Sequence, residues 1–271
     1  MIKLTLFNLL VIGFFFTAVL TPNLIKFLAQ EKITGVNYRG EVIPLAGGLI
    51  FVAGLLLTVL FLRLATGEHP LELMYLTIGV LAISILGLLD DLAGNGETRG
   101  FKGHMIKLAE GKLTTGGLKA IGGGMIAVFI VVPFSQNWAE LIINSAIAAL
   151  SINTINLLDL RPGRAIKGFL LGLVIIFIFG NWEQLMMVSI VAGIVLAYMS
   201  FDLQAKIMMG DTGSNALGLV LGLAMVWSLP MAGKLLGLML LVLLQLIAEI
   251  YSFSKLIERS PFLALLDRLG R

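Results

Sequence analysis

The chain has 271 residues, of which 58% are hydrophobic and 13% charged, against about 25% charged in an ordinary soluble domain. It has no cysteine and only two histidines, His69 and His104, which excludes disulfides, thiolate metal sites and a His-rich metal cage. With a mean hydropathy of +1.01, the placement of its charges says more than the formal total of +3.

Crossing a bilayer takes roughly 20 mostly apolar residues. Taken in chain order, nine stretches qualify, at about 4–21, 45–64, 71–89, 117–134, 138–158, 166–181, 184–201, 212–230 and 233–253. The sixth is the shortest. No small-residue cleavage site follows the first, which reads as a retained helix and not a removed signal. The expected architecture is an all-α, polytopic helical membrane bundle with about nine transmembrane helices, forming one integral membrane domain over 1–271. Trp138 and Trp182, at the expected outer helix ends, read as interfacial anchors.

The odd-numbered helices all end on one side. That side collects sixteen of the nineteen Lys and Arg residues, leaving Lys3, Arg63 and Lys234 on the other. The richer side should be cytoplasmic, with the N-terminus outside and the C-terminus inside. Eleven carboxylates share that inner side, among them Asp90, Asp91, Asp159, Asp202, Asp211 and Asp267.

Three acidic clusters follow three odd-numbered helices. After helix 3, in "GLLDDLAG", Asp90 and Asp91 stand side by side at a membrane exit. Adjacent carboxylates repel, and a cation nearby keeps both ionised. Oxygen ligands without Cys or His suit Mg²⁺, or Mn²⁺ as the alternative. By itself a pair of aspartates is more often a solvated loop start.

After helix 5, in "SINTINLLDLRPGRAIKGF", Asn153, Asn156 and Asp159 recur every three residues and so share one helix face. Amides in an apolar helix need hydrogen-bond partners, so the plain alternative is polar glue between helices. Arg161, Arg164 and Lys167 follow at once. They read either as a diphosphate-binding run or as a positive anchor on the inner face. After helix 7, in "FDLQAKIMMGDTGSNALG", Asp211, Thr212 and Ser214 can cap helix 8, whose positive end would face an anion. Asp202 reads as a solvated loop charge.

Carboxylates, amides and cations thus gather on one membrane face, as a metal–phosphate site at the lipid headgroup level would require. Phosphoryl transfer is largely positioning and charge neutralisation. Together these segments resemble the polyprenyl-phosphate N-acetylhexosamine-1-phosphate transferases. "VNYRGEVIPLAGGL" is similar to that family's first cytoplasmic loop, "GLLDDLAG" to its Asp-Asp segment, "NTINLLD" to its Asn-Asn-Asp segment and "MGDTGSNALG" to its Gly-Asp-x-Gly-Ser segment. "EIYSFSKLIERSPF" resembles the end of the ninth helix and the loop after it.

The resemblance implies an Mg²⁺-dependent transfer of sugar-1-phosphate from a nucleotide diphosphate sugar to a membrane polyprenyl phosphate, releasing a nucleoside monophosphate. It implies a multi-pass protein of the cell membrane with a cytoplasmic site, serving cell-envelope glycan synthesis. No nucleic-acid partner is expected, and a homodimer is compatible. By the same resemblance, Asp90, Asp91 and Asp211 are catalytic. Asp91 and Asp211 hold the metal, and Asp90 activates the lipid phosphate. Asn153, Asn156, Asp159 and Lys107 bind substrate; Arg161, Arg164 and Lys167, which are additions to the family's pattern, are substrate-binding candidates on their own chemistry.

Two departures stand out. Where the family carries a second aspartate after the Asn row, this chain has Pro162, which offers neither charge nor N–H. The tail "ERSPFLALLDRLGR" lacks the family's histidines and its tenth helix. The basic run after Asp159 could take over diphosphate binding. The competing expectation is a non-catalytic relative that binds polyprenyl phosphate or nucleotide as a sensor or assembly partner. A transporter ranks last, because the polar residues gather at one face and not at mid-membrane.

Overall fold

The structure is a computed structural model that describes residues 5–67, 70–93 and 115–270. Its long helices are α1 (Leu6–Gln30), α2 (Gly48–Thr66), α3 (Leu71–Ala93), α4 (Thr115–Val131), α5 (Trp138–Leu158), α6 (Arg164–Phe179), α7 (Met186–Leu203), α8 (Gly210–Ser228) and α9 (Met231–Ile250). Two short helices follow, α10 (Phe253–Arg259) and α11 (Pro261–Arg268). Seven helical segments are long and apolar enough to cross a membrane, so this is a polytopic helical membrane protein. Of the remaining two long helices, α6 has only 16 residues and α8 opens on the polar run Gly210–Asn215.

The first helix runs further than its sequence suggests. Pro22 breaks the apolar pattern near residue 21, yet it sits inside α1, which continues to Gln30. The chain is also not wholly helical. Thr34–Val36 (β1) and Val42–Pro44 (β2) pair as an antiparallel hairpin, with Val36 opposite Val42. The turn is built by Asn37, whose Oδ1 accepts the backbone N–H groups of Arg39 and Glu41 at 2.8 and 3.0 Å. Gly40 supplies the left-handed residue there, at φ 82°. Pro44 then accepts the N–H of Met208 at 2.8 Å, which ties the hairpin to the segment leading into α8.

Helix α8 is the axis of the bundle. Every residue from Thr212 to Ser228 is buried, enclosed by α2, α3, α5 and α6, while α1 packs against α7 and α9 rests on α5. The start of α8 is reached at backbone distance from two sides. A Cβ on Gly48 of α2 would clash with the Gly213 backbone, and one on Gly87 of α3 would clash with the Asp211–Thr212 peptide. Small residues allow this close approach, which substitutes for a hydrophobic driving force between helices in lipid. The result fixes the N-terminus of α8 against the end of α3. At the opposite end of the bundle, Lys234 of α9 pairs with Glu140 of α5 at 2.8 Å, in agreement with the shared side that their sequence positions predict.

Candidate active site

The free end of a helix exposes N–H groups that need acceptors. Sequence alone suggests that Asp211, Thr212 and Ser214 cap α8 themselves. In the structure Asp211 lies inside the first turn, and the capping oxygens come from another helix. Asp91, near the end of α3, accepts the N–H of Asp211 at 2.8 Å, the N–H of Thr212 at 3.0 Å and the Thr212 hydroxyl at 2.6 Å. Gly210, at φ 70°, makes room for it: a Cβ there would run into the Asp91 carboxylate. Both oxygens of Asp91 are therefore committed to α8, which departs from the expectation that Asp91 is a metal ligand.

Its neighbour Asp90 faces a different group. Lys119, near the start of α4, forms an ion pair with Asp211 and lies 4.0 Å from Asp90. The three side chains are each about a quarter exposed, so they sit at a surface that a ligand can reach. Lys119 did not stand out in the sequence, where it is one of many inner-face cations. Its meaning comes from the packing of α4 beside α3.

The Asn row divides between two helices. Asn156 donates to Asn215 Oδ1 of α8 at 2.8 Å, beside the Asp211 turn. Asn153 instead donates to Gln245 Oε1 of α9 at 2.6 Å, and Gln245 donates to Thr154 Oγ1 at 2.8 Å. Asn153 thus joins helices, in the manner of interhelical polar glue, and is not brought to the α8 terminus.

Asp159 caps the end of α5 and lines a cavity of about 220 Å³. Asn37 and Tyr38 of the hairpin, Arg161 and Pro162 after α5, Asp202 of α7 and Asp211 share its wall. Burial, and then the nearby Asp202, Asp211 and Asp91 carboxylates, push the Asp159 carboxyl well above its usual range, with Lys119 pulling the other way. Such a group binds its proton more tightly folded than unfolded. Its ionisation therefore lowers stability as pH rises from the ordinary carboxylate range through the folded value. Asp159→Asn is expected to melt like wild type in acid and at a higher temperature than wild type at neutral pH, which a pH series of thermal melts in detergent checks.

Asp202 is no solvated loop charge. It is 3% exposed and accepts the Gly163 N–H, which fixes the turn carrying Arg161 and Pro162.

The three cations after Asp159 go to different places. Arg161 lies over the Tyr38 ring, 4.8 Å from its centre, with Arg39 at 5.1 Å from the same ring, so Arg161 belongs to the cavity wall. Arg164 is 5% exposed and grips Asp267 of α11 with two hydrogen bonds of 2.9 and 3.0 Å. It also donates to Ser254 of α10 at 2.9 Å. Lys167 donates to the Leu266 and Asp267 carbonyls, both at 2.9 Å. Neither of these two lines the cavity, contrary to the diphosphate-binding expectation. Their partner lies about a hundred residues further on, so the short run "RPGRAIK" looks like a phosphate binder while two of its cations anchor a tail. Removing one partner of a buried pair strands the other charge, at about 3–5 kcal/mol. Arg164→Ala should therefore lower the thermal midpoint and, because Arg164 adjoins the turn that carries Arg161, weaken donor binding by less than Arg161→Ala does, read by melting and by titration of the folded fraction. Lys107 lies outside the described residues.

What can this arrangement hold? Among the described residues, Asp90, Asp91, Asp159, Asp202 and Asp211 converge with Lys119 and Arg161, five carboxylates against two cations. Within this set, an anionic phosphate is favoured when it brings a cation with it. Among the described residues no cluster of three acidic or His side chains is close enough to cage a metal alone. That suits Mg²⁺, which at phosphoryl-transfer sites is held by one or two carboxylates together with substrate phosphates and water. The Lys119 ammonium already marks the position between Asp90 and Asp211 where positive charge is stabilised. The donor set fits the ion through Asp211 and Asp90.

A comparison with known proteins adds an independent line. Residues 73–229 match the model for "Glycosyl transferase family 4", a span that holds α3 to α8 and all of the site except the hairpin. The chain is 30% identical over 279 aligned positions to a phospho-N-acetylmuramoyl-pentapeptide-transferase of Clostridium novyi, covering 93% of this chain and 83% of that protein. It is 31% identical over 236 positions to the protein of the same name from Clostridium beijerinckii, covering 79% and 71%. The protein of that name from Clostridium perfringens strain SM101 is 27% identical over 292 positions, covering 96% and 88%.

Proposed function

The chain belongs to glycosyl transferase family 4, and on that premise we propose that it transfers sugar-1-phosphate from a nucleotide diphosphate sugar to a membrane polyprenyl phosphate. The observation that carries the proposal is the meeting of Asp90, Lys119 and Asp211 at the capped N-terminus of α8. A lipid-phosphate oxygen attacks the sugar-bearing β-phosphorus. The bond from that phosphorus to the bridging oxygen breaks, and the nucleoside monophosphate leaves with that oxygen.

Each residue has a part in this scheme. Asp211 and Asp90 hold Mg²⁺, with Mn²⁺ as a substitute, and the ion supplies charge neutralisation for the transferring phosphoryl group. Asp90 also faces the incoming lipid phosphate, whose oxygen is already largely ionised, so its contribution is electrostatic positioning and not deprotonation. Lys119 keeps the two carboxylates together and adds positive charge beside the phosphates. Asp91 holds the α8 terminus, and with it Asp211, in place. Asn156 and Asp159 orient the donor, and Arg161, steadied on Tyr38, binds its diphosphate.

The concentration of Lys and Arg on one side supports a cytoplasmic site in a chain that crosses the membrane nine times from an outer N-terminus. Cell-envelope glycan synthesis is the role that follows. A second reading, a binder without turnover, is favoured by Pro162, which cannot replace an aspartate on the cavity wall.

Arg161 provides the first test. Loss of a charge-assisted bidentate contact costs about 1.5–3 kcal/mol. Arg161→Ala should therefore weaken binding of a nucleotide diphosphate sugar by at least about tenfold in calorimetry with Mg²⁺. Unchanged affinity would remove Arg161 from the donor site.

A further inference from the structure

The second of the two short helices after α9 is mounted the wrong way round for a protein in water. On α11, Phe262, Leu265, Leu266 and Leu269 fall within one arc of the helix, with Asp267 and Arg268 on the opposite side. A surface helix normally turns its apolar arc to the protein. Here the attachment is polar. Asp267 takes the buried Arg164 guanidinium, and Lys167 caps the Leu266 and Asp267 carbonyls. The apolar arc points away: Phe262 is 68%, Leu265 63% and Leu269 62% exposed.

From this inverted mounting we infer that α10–α11 lies in the surface of the bilayer and docks on anionic lipid headgroups, its apolar arc sunk at the headgroup–acyl boundary. Three observations select this occupant. Helix α9 is apolar and long enough to cross the membrane, and α10 begins three residues after α9 ends, so the pair emerges at the membrane surface. Lys255, Arg259 and Arg268 are exposed along it against one exposed carboxylate, Glu258, and a basic excess beside an apolar face marks helices that bind acidic leaflets. The one acidic group on α11, Asp267, is neutralised by Arg164, which removes its repulsion from anionic headgroups.

The docking also reaches the site. Arg164 follows Gly163 directly, and Asp202 holds the Gly163 N–H. Seating α11 on the membrane therefore steadies the turn that carries Arg161 and Pro162 into the cavity wall. Arg164 and Asp267 act here as positioning residues.

The absence of native cysteine makes the test direct. Single cysteines at Phe262, Leu265, Leu269 and Arg268 in the full chain are spin-labelled and reconstituted in nanodiscs. The lipid is phosphatidylcholine alone or with about one-third phosphatidylglycerol. The expected result is high accessibility to oxygen and low accessibility to an aqueous nickel chelate at 262, 265 and 269, the reverse at 268, and a deeper position in the anionic discs. Equal exposure to the chelate at all four positions would overturn the inference, as would equal depth in the two lipids. Protection accompanied by spin–spin coupling between labels would overturn it in favour of a second copy of the chain. Phe262→Ser/Leu265→Ser, on the exposed arc, should fold normally and lose the depth difference. If these variants keep it, the apolar arc is not what docks.

Discussion

Asp91→Ala is expected to be the most destabilising single change at the site. It deletes three hydrogen bonds, to the Asp211 N–H, the Thr212 N–H and the Thr212 hydroxyl. Two backbone donors are then left at the α8 terminus without their acceptor. Hydrogen bonds to a charged group contribute about 1.5–3 kcal/mol each, and a lost cap about 1. Because the three share one carboxylate, a combined loss on the order of 3–5 kcal/mol is expected. For a chain of this size that is a fall of roughly 8–15 °C in thermal midpoint, measurable in detergent. Asp91→Asn should fall between, since one amide oxygen still accepts while the NH₂ group faces a donor. A wild-type midpoint in Asp91→Ala would show that the cap does not secure α8. Activity should fall as well, because the same cap sets the position of Asp211.

Asp211→Asn should show the opposite separation. Its carboxylate is directed at Lys119 and the cavity, not at the packing of α8. Replacing it breaks the pair with Lys119 but leaves Asp90 near that ammonium. The pair is partly exposed, so the thermal midpoint should fall only slightly. Turnover should fall by about 10²–10³, the usual loss when a charge-stabilising group at a transferring centre is removed. Half-saturating Mg²⁺ should also increase, because Asp90 alone is a poorer ligand set. A variant that turns over normally would exclude Asp211 from the chemistry. One that loses activity only by losing stability would make it a structural residue like Asp91.

These two variants also mark where the sequence was readable. The Asp-Asp pair, the Asn row and the Gly-Asp-x-Gly-Ser segment are contiguous, so their residue types and spacing could be recognised directly. The placement of the helices was readable for a related reason, since apolar runs of membrane length need no partner to be identified. What could not be read is which group each side chain meets. Asp90 and Asp91 are neighbours in sequence, but successive helix positions point about 100° apart. One therefore turns to the α8 terminus and the other to Lys119. Lys119 stands 92 residues before Asp211 in the chain, and only the docking of α4 brings it there. Arg164 and Lys167 look like phosphate ligands until Asp267 is seen beside them. Asp202 looks solvated until the Gly163 turn closes over it. The hairpin was hidden by its length: three-residue strands carry too little alternation to register.

The same placements show how the turn around Pro162 is held. Asp202 fixes the turn through the neighbouring Gly163, and Tyr38 steadies Arg161 from across the cavity. A residue that can neither charge nor donate thus sits between two that are held from outside the segment. The basic run is best understood as one cation for the cavity and two for the tail.

The central proposal is that these residues carry out a transfer and do not merely bind. Its most direct test supplies the purified protein with polyprenyl phosphate, Mg²⁺ and a panel of nucleotide diphosphate sugars, and measures released nucleoside monophosphate. Release that requires lipid, metal and donor together, and that disappears in Asp211→Asn, is the predicted result. Binding of lipid or nucleotide without release from any donor would contradict it.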